Sequence, residues 1–292
     1  MIVFLALLLG STALAQNFSN ITVETVARDL HYAEGPVWSL DGFLLFSDST
    51  TDQLRKWTPG KGLADFASRA GGAAGNAFDD QGRLYTCEFR ERRVTRTSKN
   101  GKTDVLASKF EGKRLNAPSD IVVRRDGNVY FTDPAFGSQQ DSRELDFYGV
   151  FRIRPGGELD VIARGKTRPN GIALSPNGRL LYVSDSDARL VRVYDLAANG
   201  AASNERIFIP KIDGVPGGIR TDEKGNVYVA AKYLFTYSPR GDLLKEIQFA
   251  QTPSNLAWGD PDFAGLFITA RTAIYRIRLG VKGALPYAPQ VP

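Results

Sequence analysis

A pattern of apolar and polar positions recurs six times along the chain. Each copy has a short apolar run, a turn with glycine and a second apolar run, as in IVVRRDGNVYFTD from Ile121. The turn glycines follow one another at steps of 40, 45, 51, 47 and 40 residues: Gly42, Gly82, Gly127, Gly178, Gly225 and Gly265. Repeats of about 40–50 residues built from short strands are typical of propeller blades. The pattern therefore predicts six blades.

Each copy also predicts the arrangement of strands inside a blade. Residues 128–132 are rich in Val, Tyr and Phe, and Asp126-Gly127 before them is a tight hairpin signal. Further short apolar runs follow within each repeat, and the run at 21–27 precedes the first full copy. We expect an all-β fold over residues 16–285, a six-bladed β-propeller of four-stranded antiparallel blades around a central channel. The N-terminal strand completes the last blade, which closes the ring.

The two ends of the chain differ from the repeats. Residues 1–15 contain an apolar core and end in Ala13-Leu14-Ala15, a small-residue cleavage pattern. This indicates a signal peptide and a secreted or periplasmic protein, the alternative being a buried N-terminal strand. Residues 286–292 are rich in proline and predict a loose tail.

Charge and cysteine content narrow the function classes. The net charge of the 292 residues is +5, but basic residues are scattered and no nucleic-acid-binding motif accompanies them. No apolar run beyond the N-terminus is long enough to span a membrane, so no membrane contact is expected after signal cleavage. The single cysteine, Cys87, lies within a strand and predicts a buried inert thiol. We expect a monomer that binds a small molecule.

Counting along the repeats predicts a ring of residues at one end of the channel. The first strand of a blade starts at the face to which the second strand returns, so these two ends lie close together. Eight residues before each turn glycine are Glu34, Ala74, Ser119, Asn170 and Gly217, and in the irregular sixth copy Ser254 or Asn255. The second strands end at Asp48, Glu88, Asp133, Asp185 and Ala231.

The donor types in this ring favour a hard cation. Ca²⁺ binds six to eight oxygens from carboxylates, amides, carbonyls and water. A soft metal is not expected, because the chain has one histidine, His31, and one cysteine. A serine hydrolase would need that same histidine, and no G-x-S-x-G motif is present. Glu34 and Asn170 are the candidate ligands, whereas the strand-end aspartates more often accept backbone N–H bonds in turns.

Several motifs at these positions resemble the gluconolactonase family, which includes regucalcin (senescence marker protein) and luciferin-regenerating enzyme. The matching stretches are AEGPVW from Ala33, RLYTCEFRERRVTRT from Arg83, KRLNAPSDIVVRRDGNVYFTDPAFG from Lys113 and RPNGIALSPNGRLLYVSD from Arg168. The resemblance spans roughly residues 32–237. It implies a six-bladed propeller with one divalent metal, usually Ca²⁺, in the channel, and hydrolysis of sugar lactones or related esters.

The resemblance carries over to individual positions, with three departures. Glu34 matches the metal-ligand glutamate of the family's E-G-P motif, and Asn170 matches the ligand asparagine of its N-G pair. The family's P-N-D motif reads Pro118-Ser119-Asp120 here, so Ser119 replaces an asparagine near metal and substrate. Asn116, Ser119 and Asp120 are the candidate substrate-binding residues of this stretch.

The second departure affects catalysis. The family's P-D-G motif supplies an aspartate that binds metal and acts as general base, but here it reads Pro216-Gly217-Gly218. Phe89 also replaces a histidine that many members have after the T-C-E triplet. Loss of the aspartate lowers the ligand charge from −2 to −1 and weakens Ca²⁺ binding. Asp185 and Asp213 are the candidate replacements as general base.

Two hypotheses follow from the sequence. The first is an exported, metal-dependent hydrolase of a lactone or related ester, with Glu34 and Asn170 holding one divalent cation, Ca²⁺ being expected. The second is a non-catalytic or degenerate propeller that binds a small molecule and has lost the family's catalytic aspartate at Gly217. The hydrolase is favoured because two of the three expected ligands are present.

Overall fold

The structure, a computed structural model, describes residue 18 and residues 20–285. The expected signal peptide at 1–15 and the tail at 286–292 lie outside these residues. The described part consists almost entirely of short strands, with one 3₁₀ helix at Gly137–Ser142 between two strands of the third blade. None of its helices is long and apolar enough to cross a membrane.

The strands of the first three blades follow chain order after the N-terminal strand β1 (Glu24–Ala27). Blade one contains β2 (Ala33–Ser39), β3 (Phe43–Asp48), β4 (Gln53–Thr58) and β5 (Gly62–Ser68). Blade two contains β6 (Ala73–Phe78), β7 (Leu84–Glu88), β8 (Arg93–Thr97) and β9 (Thr103–Ala107). A small hairpin of β10 (Lys109–Phe110) and β11 (Lys113–Arg114) follows. Blade three contains β12 (Ile121–Val123), β13 (Val129–Asp133), β14 (Tyr148–Ile153) and β15 (Leu159–Gly165).

The remaining blades repeat the same order. Blade four contains β16 (Pro169–Leu174), β17 (Leu180–Asp185), β18 (Leu190–Leu196) and β19 (Ala202–Ile209). Blade five contains β20 (Ile219–Thr221), β21 (Val227–Ala230), β22 (Leu234–Tyr237) and β23 (Leu243–Ile247). Blade six contains β24 (Asn255–Gly259), β25 (Gly265–Ala270) and β26 (Ala273–Arg278), with β1 as its fourth strand.

Ring closure occurs as the sequence predicts. β1 pairs antiparallel with β26, with Glu24 opposite Arg276 and Thr25 opposite Tyr275. The Arg276 guanidinium also contacts the Glu24 carboxylate at 2.6 Å. The first and last parts of the propeller are therefore held in one sheet, and the edge of β26 is covered.

The core is divided among the interfaces between blades. Six clusters of buried apolar residues occur in the described part of the chain, and each joins two neighbouring blades. Between blades six and one, the Trp38 and Phe267 rings stack with centroids 5.5 Å apart. Burial of a large apolar side chain stabilises a fold by about 1.5–3 kcal/mol. The blades are therefore stable as a closed ring rather than as separate sheets.

Backbone crowding at the channel requires glycine at defined positions. Gly35 has φ +50, and a Cβ built on it would lie 1.9 Å from the carbonyl oxygen of Ala74 in the next blade. Gly42 has φ +84 in a surface turn, where a Cβ would meet nothing within 4 Å. Both glycines have a left-handed conformation, but steric crowding affects Gly35 alone.

We expect Gly35→Ala to destabilise the protein much more than Gly42→Ala. The left-handed conformation costs about 1–2 kcal/mol for either alanine, and the contact with the neighbouring blade adds about 1–3 kcal/mol at position 35. Urea denaturation of both variants and the wild type measures the difference. Equal losses of unfolding free energy would show that the blades do not approach each other as closely as described.

Candidate active site

One end of the central channel opens into a cavity of about 460 Å³, called the mouth cavity below. The residues that repeat counting placed in a ring all line it: Glu34, Ala74, Ser119, Asn170, Gly217, Ser254 and Asn255. The predicted common location of these residues is therefore confirmed. Their roles as ligands or substrate contacts stay predictions.

Hydrogen bonds between blades fix the backbone of this ring. Side chains next to the ends of second strands donate to the carbonyl oxygens of ring residues in the next blade. Ser47 Oγ donates to Ala74 O at 2.8 Å, Thr132 Oγ1 to Asn170 O at 2.5 Å and Ser184 Oγ to Gly217 O at 2.6 Å. Because these bonds are buried or partly buried, they hold the ring residues in place.

Glu34 is the carboxylate that lines the mouth cavity. The pKa of its carboxyl is raised to about 7, mainly by burial and also by the nearby Asp120, whereas hydrogen bonds from Gly35 N–H, Ser254 and Asn255 act to lower it. The groups that act on it most strongly include no cation. A carboxylate whose ionised form is disfavoured by burial gains from binding a metal ion, since the ion replaces the lost hydration.

Asn170 is oriented by two neighbouring hydroxyls. Its Oδ1 accepts a hydrogen bond from Ser119 Oγ at 3.2 Å, and its Nδ2 donates to Ser186 Oγ at 3.1 Å. Ser186 in turn donates to Pro216 O at 2.9 Å. The chain thus fixes which amide atom is the acceptor, and Ser119 adds a hydroxyl oxygen beside it.

Because position 217 is a glycine, the ring lacks a second carboxylate. The neighbouring backbone lies close to Gly217. A Cβ at this position would lie 2.3 Å from the carbonyl oxygen of Ser254. Gly217 N–H donates to Ala230 O at 2.7 Å, and Gly218 N–H donates to Ser254 O at 2.9 Å. Within the described residues no group of three His, Cys, Asp or Glu side chains could hold a metal. The available donors are one carboxylate, an amide, hydroxyls and carbonyls, which fit a hard cation at low affinity.

The strand-end carboxylates have a structural role instead. Asp48 accepts hydrogen bonds from the N–H groups of His31 and Tyr32, at 3.1 and 2.8 Å. Asp133 accepts from the N–H groups of Asn116 and Ala117, at 2.7 and 2.8 Å. Each bonds the segment that leads into its own blade, as the turn interpretation predicts.

The structure places neither candidate general base in the mouth cavity. Asp185 is buried, accepts hydrogen bonds from Thr167 Oγ1 and Ala188 N–H, and lines a different cavity between blades three and four. Asp213 is exposed and forms an ion pair with Lys232 at 2.8 Å, which holds its pKa below the usual range. Both carboxylates bond to other groups outside the mouth cavity. The prediction that Asp185 or Asp213 lies beside the metal ligands was therefore wrong.

Two of the three candidate substrate-binding residues also lie beneath the cavity wall. Asn116 is buried and its Nδ2 donates to the carbonyl oxygens of Asp133 and Phe147. Asp120 is buried and bonds the N–H groups of Ile121 and Ile172. Ser119 alone of the three lines the cavity.

Arg220 was not anticipated from the sequence, although its place two residues after Gly218 on an innermost strand could have indicated the channel. It reaches from blade five to blade three, where its Nη1 lies 3.1 Å from Asp120 Oδ2. The same atom donates to the carbonyls of Ile219 and Ile172, at 2.7 and 3.3 Å. Arg220 also lines a separate cavity of about 80 Å³. The Arg220–Asp120 ion pair therefore crosses the channel between the mouth cavity and this smaller cavity.

The outer wall of the mouth cavity also contains residues that sequence reasoning did not identify. Tyr32, Phe136 and Arg271 line it, together with Phe89. Arg271 lies in the turn between β25 and β26, and its carbonyl accepts a hydrogen bond from Ala33 N–H at 2.7 Å. Nothing in the repeat pattern marks these positions, because they lie in connections of differing length.

Comparison with known proteins matches the chain to one protein family and to several lactonases. The SMP-30/Gluconolactonase/LRE-like region model matches residues 32–272. A gluconolactonase of Zymomonas mobilis is 33% identical over 288 residues, covering 88% of this chain and 81% of that protein. The pentonolactonase XacC of Haloferax volcanii is 24% identical, covering 81% and 80%. The solved structure of a Xanthomonas campestris gluconolactonase has a TM-score of 0.84 at 30% identity, covering 92% of each chain.

We expect Arg220→Met to destabilise the protein by about 3–5 kcal/mol, because Asp120 would remain buried without its cation. The double variant Arg220→Met/Asp120→Asn should recover part of that loss, since it removes both charges. Chemical denaturation of the single and double variants gives both values. A loss below about 1 kcal/mol in Arg220→Met would show that the pair does not hold the channel.

Proposed function

The chain belongs to the SMP-30/Gluconolactonase/LRE-like family, and we propose that it hydrolyses a lactone or related ester in the mouth cavity with one divalent cation, Ca²⁺. The observation that carries the proposal is the partly buried Glu34 carboxylate, with its raised pKa, in the same cavity as Asn170 and Ser119. Glu34 and Asn170 are also the positions at which the chain resembles the family's ligand motifs. The relatives named gluconolactonase and pentonolactonase support a lactone substrate.

The chain's own donors define where the cation would be held. Glu34 would supply the charged ligand, Asn170 Oδ1 a neutral one, and Ser119 Oγ a third oxygen beside it. A bound divalent cation polarises an ester carbonyl and lowers the pKa of water. Regucalcin of Agrobacterium tumefaciens, a calcium-binding protein, has the same fold, with a TM-score of 0.75 at 16% identity.

Proton transfer distinguishes this site from that of a member with the full motif. Attack of water on the lactone carbonyl releases a proton, and Gly217 offers no carboxylate to accept it. Because a positioned general base contributes about 10²–10⁴-fold, we expect turnover to be slow unless solvent base takes the proton. Ser119 Oγ donates to Asn170 Oδ1, and Asn170 Nδ2 donates to Ser186 Oγ, so these bonds fix the orientation of the amide oxygen that would face the cation.

The proposal includes export of the protein, on the basis of the cleavage pattern at residues 13–15. Extracellular Ca²⁺-binding modules have dissociation constants of about 10⁻⁴–10⁻³ M. A site with a single charged ligand suits that range. Fractionation of the native host with an antibody against the protein tests this part.

A second candidate function is small-molecule binding without catalysis. The specific observation in its favour is Gly217, where the expected carboxylate is missing and a side chain would collide with Ser254. This candidate predicts a protein that binds lactones but turns none over at millimolar Ca²⁺. Turnover of any lactone by the wild type, lost on chelation and restored by Ca²⁺, would eliminate it.

We expect Glu34→Gln to lower kcat/KM for lactone hydrolysis by about 100-fold or more. Loss of an outer partner of a metal site already costs about 10–100-fold, and this change removes the charged ligand itself. Glu246→Gln is the matched control, since Glu246 is exposed on outer strand β23. Hydrolysis is followed by proton release with D-glucono-δ-lactone at millimolar Ca²⁺. Wild-type activity in Glu34→Gln would contradict the proposed site.

A further inference from the structure

Most polar groups deep in the mouth cavity are already bonded to the protein. Ser186 Oγ donates to Pro216 O, and Ser254 Oγ donates to Ala33 O at 3.0 Å. Asn255 Oδ1 accepts from Leu256 N–H at 2.8 Å. The two serine hydroxyls therefore have no free hydrogen to offer, so a ligand with hydroxyls on every carbon would find few donors among these groups, and each unpaired hydroxyl costs binding energy.

The outer wall of the cavity is aromatic and apolar. Tyr32, Phe89 and Phe136 line it, and Val215 nearby is 57% exposed. Phe136 is supported from behind, because the Arg168 guanidinium lies 4.8 Å from its ring centroid. One exposed ring, two partly buried rings and an exposed valine around a cavity favour a ligand with an aromatic or apolar portion.

Arg271 is the cationic residue among those lining the cavity. Within the part of the chain that the structure describes, its guanidinium forms no ion pair or hydrogen bond with another residue. Its turn is fixed on both sides, since its carbonyl binds Ala33 N–H and the next residue, Thr272, bonds the Gln251 side chain. The guanidinium is thus an unpaired donor on an anchored turn, in the cavity that Tyr32 and Glu34 also line, and it interacts electrostatically with Tyr32.

Resting on the lactone hydrolysis proposed above, we propose that the mouth cavity selects a lactone or ester with an anionic group next to an aromatic or apolar portion, and that Arg271 binds the anion. A guanidinium matches a carboxylate or phosphate through two parallel hydrogen bonds. The rings of Tyr32, Phe89 and Phe136 contact the apolar portion. Glu34 and Asn170 lie at the ring below, where the ester carbonyl would be placed.

This assignment has a kinetic consequence. Arg271 would contact a part of the substrate that does not react, so its interaction is equal in the bound substrate and the transition state. Loss of such an interaction raises KM and leaves kcat unchanged. A hydrogen-bonded ion pair inside a cavity predicts about a tenfold increase in KM for an anionic substrate.

The test uses two lactones that differ in one charge: γ-phenyl-γ-butyrolactone and the same lactone with a para-carboxylate on the ring. We expect the wild type to have the lower KM for the carboxylate. Arg271→Gln should raise the KM of the carboxylate about tenfold, change that of the neutral lactone less than about twofold and leave kcat unchanged. Arg271→Lys should recover part of the preference.

Arg189→Gln is the matched control. Arg189 occupies the corresponding turn of blade four, with φ +53 against +52 for Arg271, and its carbonyl likewise accepts an inter-element bond, from Ile212 N–H at 2.8 Å. Its side chain is exposed and is not among those lining the mouth cavity. This variant should behave as the wild type with both lactones.

The outcomes separate this inference from the proposed function. If the wild type hydrolyses both lactones without preference, or if Arg271→Gln affects both equally, the assignment of Arg271 is overturned while lactone hydrolysis stands. If the wild type hydrolyses neither of these two lactones nor D-glucono-δ-lactone, the proposed function fails. Calorimetric titration with 4-ethylbenzoate then decides on Arg271: weaker binding by Arg271→Gln supports the anion site, and equal binding overturns it.

Discussion

The hydrogen bond from a hydroxyl of one blade to a ring carbonyl of the next is the interaction on which the site depends. Ser47, Thr132 and Ser184 each make it, at 2.5–2.8 Å. Apolar packing between blades brings the sheets together, but it does not fix the orientation of a peptide group at the channel. These bonds do, and they determine where the side chains of the ring residues point. The same close approach explains why Gly35 cannot carry a Cβ.

Much of the fold and the location of the site follow from the sequence, because both depend on the repeat. The turn glycines fix the register of each hairpin, so counting back from them identified the ring that includes Glu34 and Asn170. Counting could not identify cavity residues in connections whose lengths differ between blades, such as Arg271. Long-range pairing was also out of reach: Arg220 and Asp120 are 100 residues apart, and only the closed ring brings them together. Asp185 ends a second strand as expected, but its carboxylate is bonded within blade four.

The chemistry of the mouth cavity depends on the number of carboxylates. With Gly217 in place of an acidic residue, Glu34 is the carboxylate lining the cavity, and burial raises its pKa to about 7. A cation and a proton therefore compete for the same group near neutral pH. A site with one charged ligand binds a hard cation weakly. Such a site is occupied only where the concentration of that cation is high. The missing acceptor for the water proton makes the rate, rather than the affinity for a lactone, the property most altered.

The central claim is that Glu34 is the charged ligand of a cation site, and calorimetric titration with Ca²⁺ at pH 6 and pH 8 tests it most directly. A carboxyl with a pKa of about 7 is mostly protonated at pH 6 and mostly ionised at pH 8. The account predicts about tenfold weaker Ca²⁺ binding at pH 6 than at pH 8, no further gain above pH 8, and no comparable binding by Glu34→Gln. Equal affinity at both pH values, or wild-type affinity in Glu34→Gln, would contradict it.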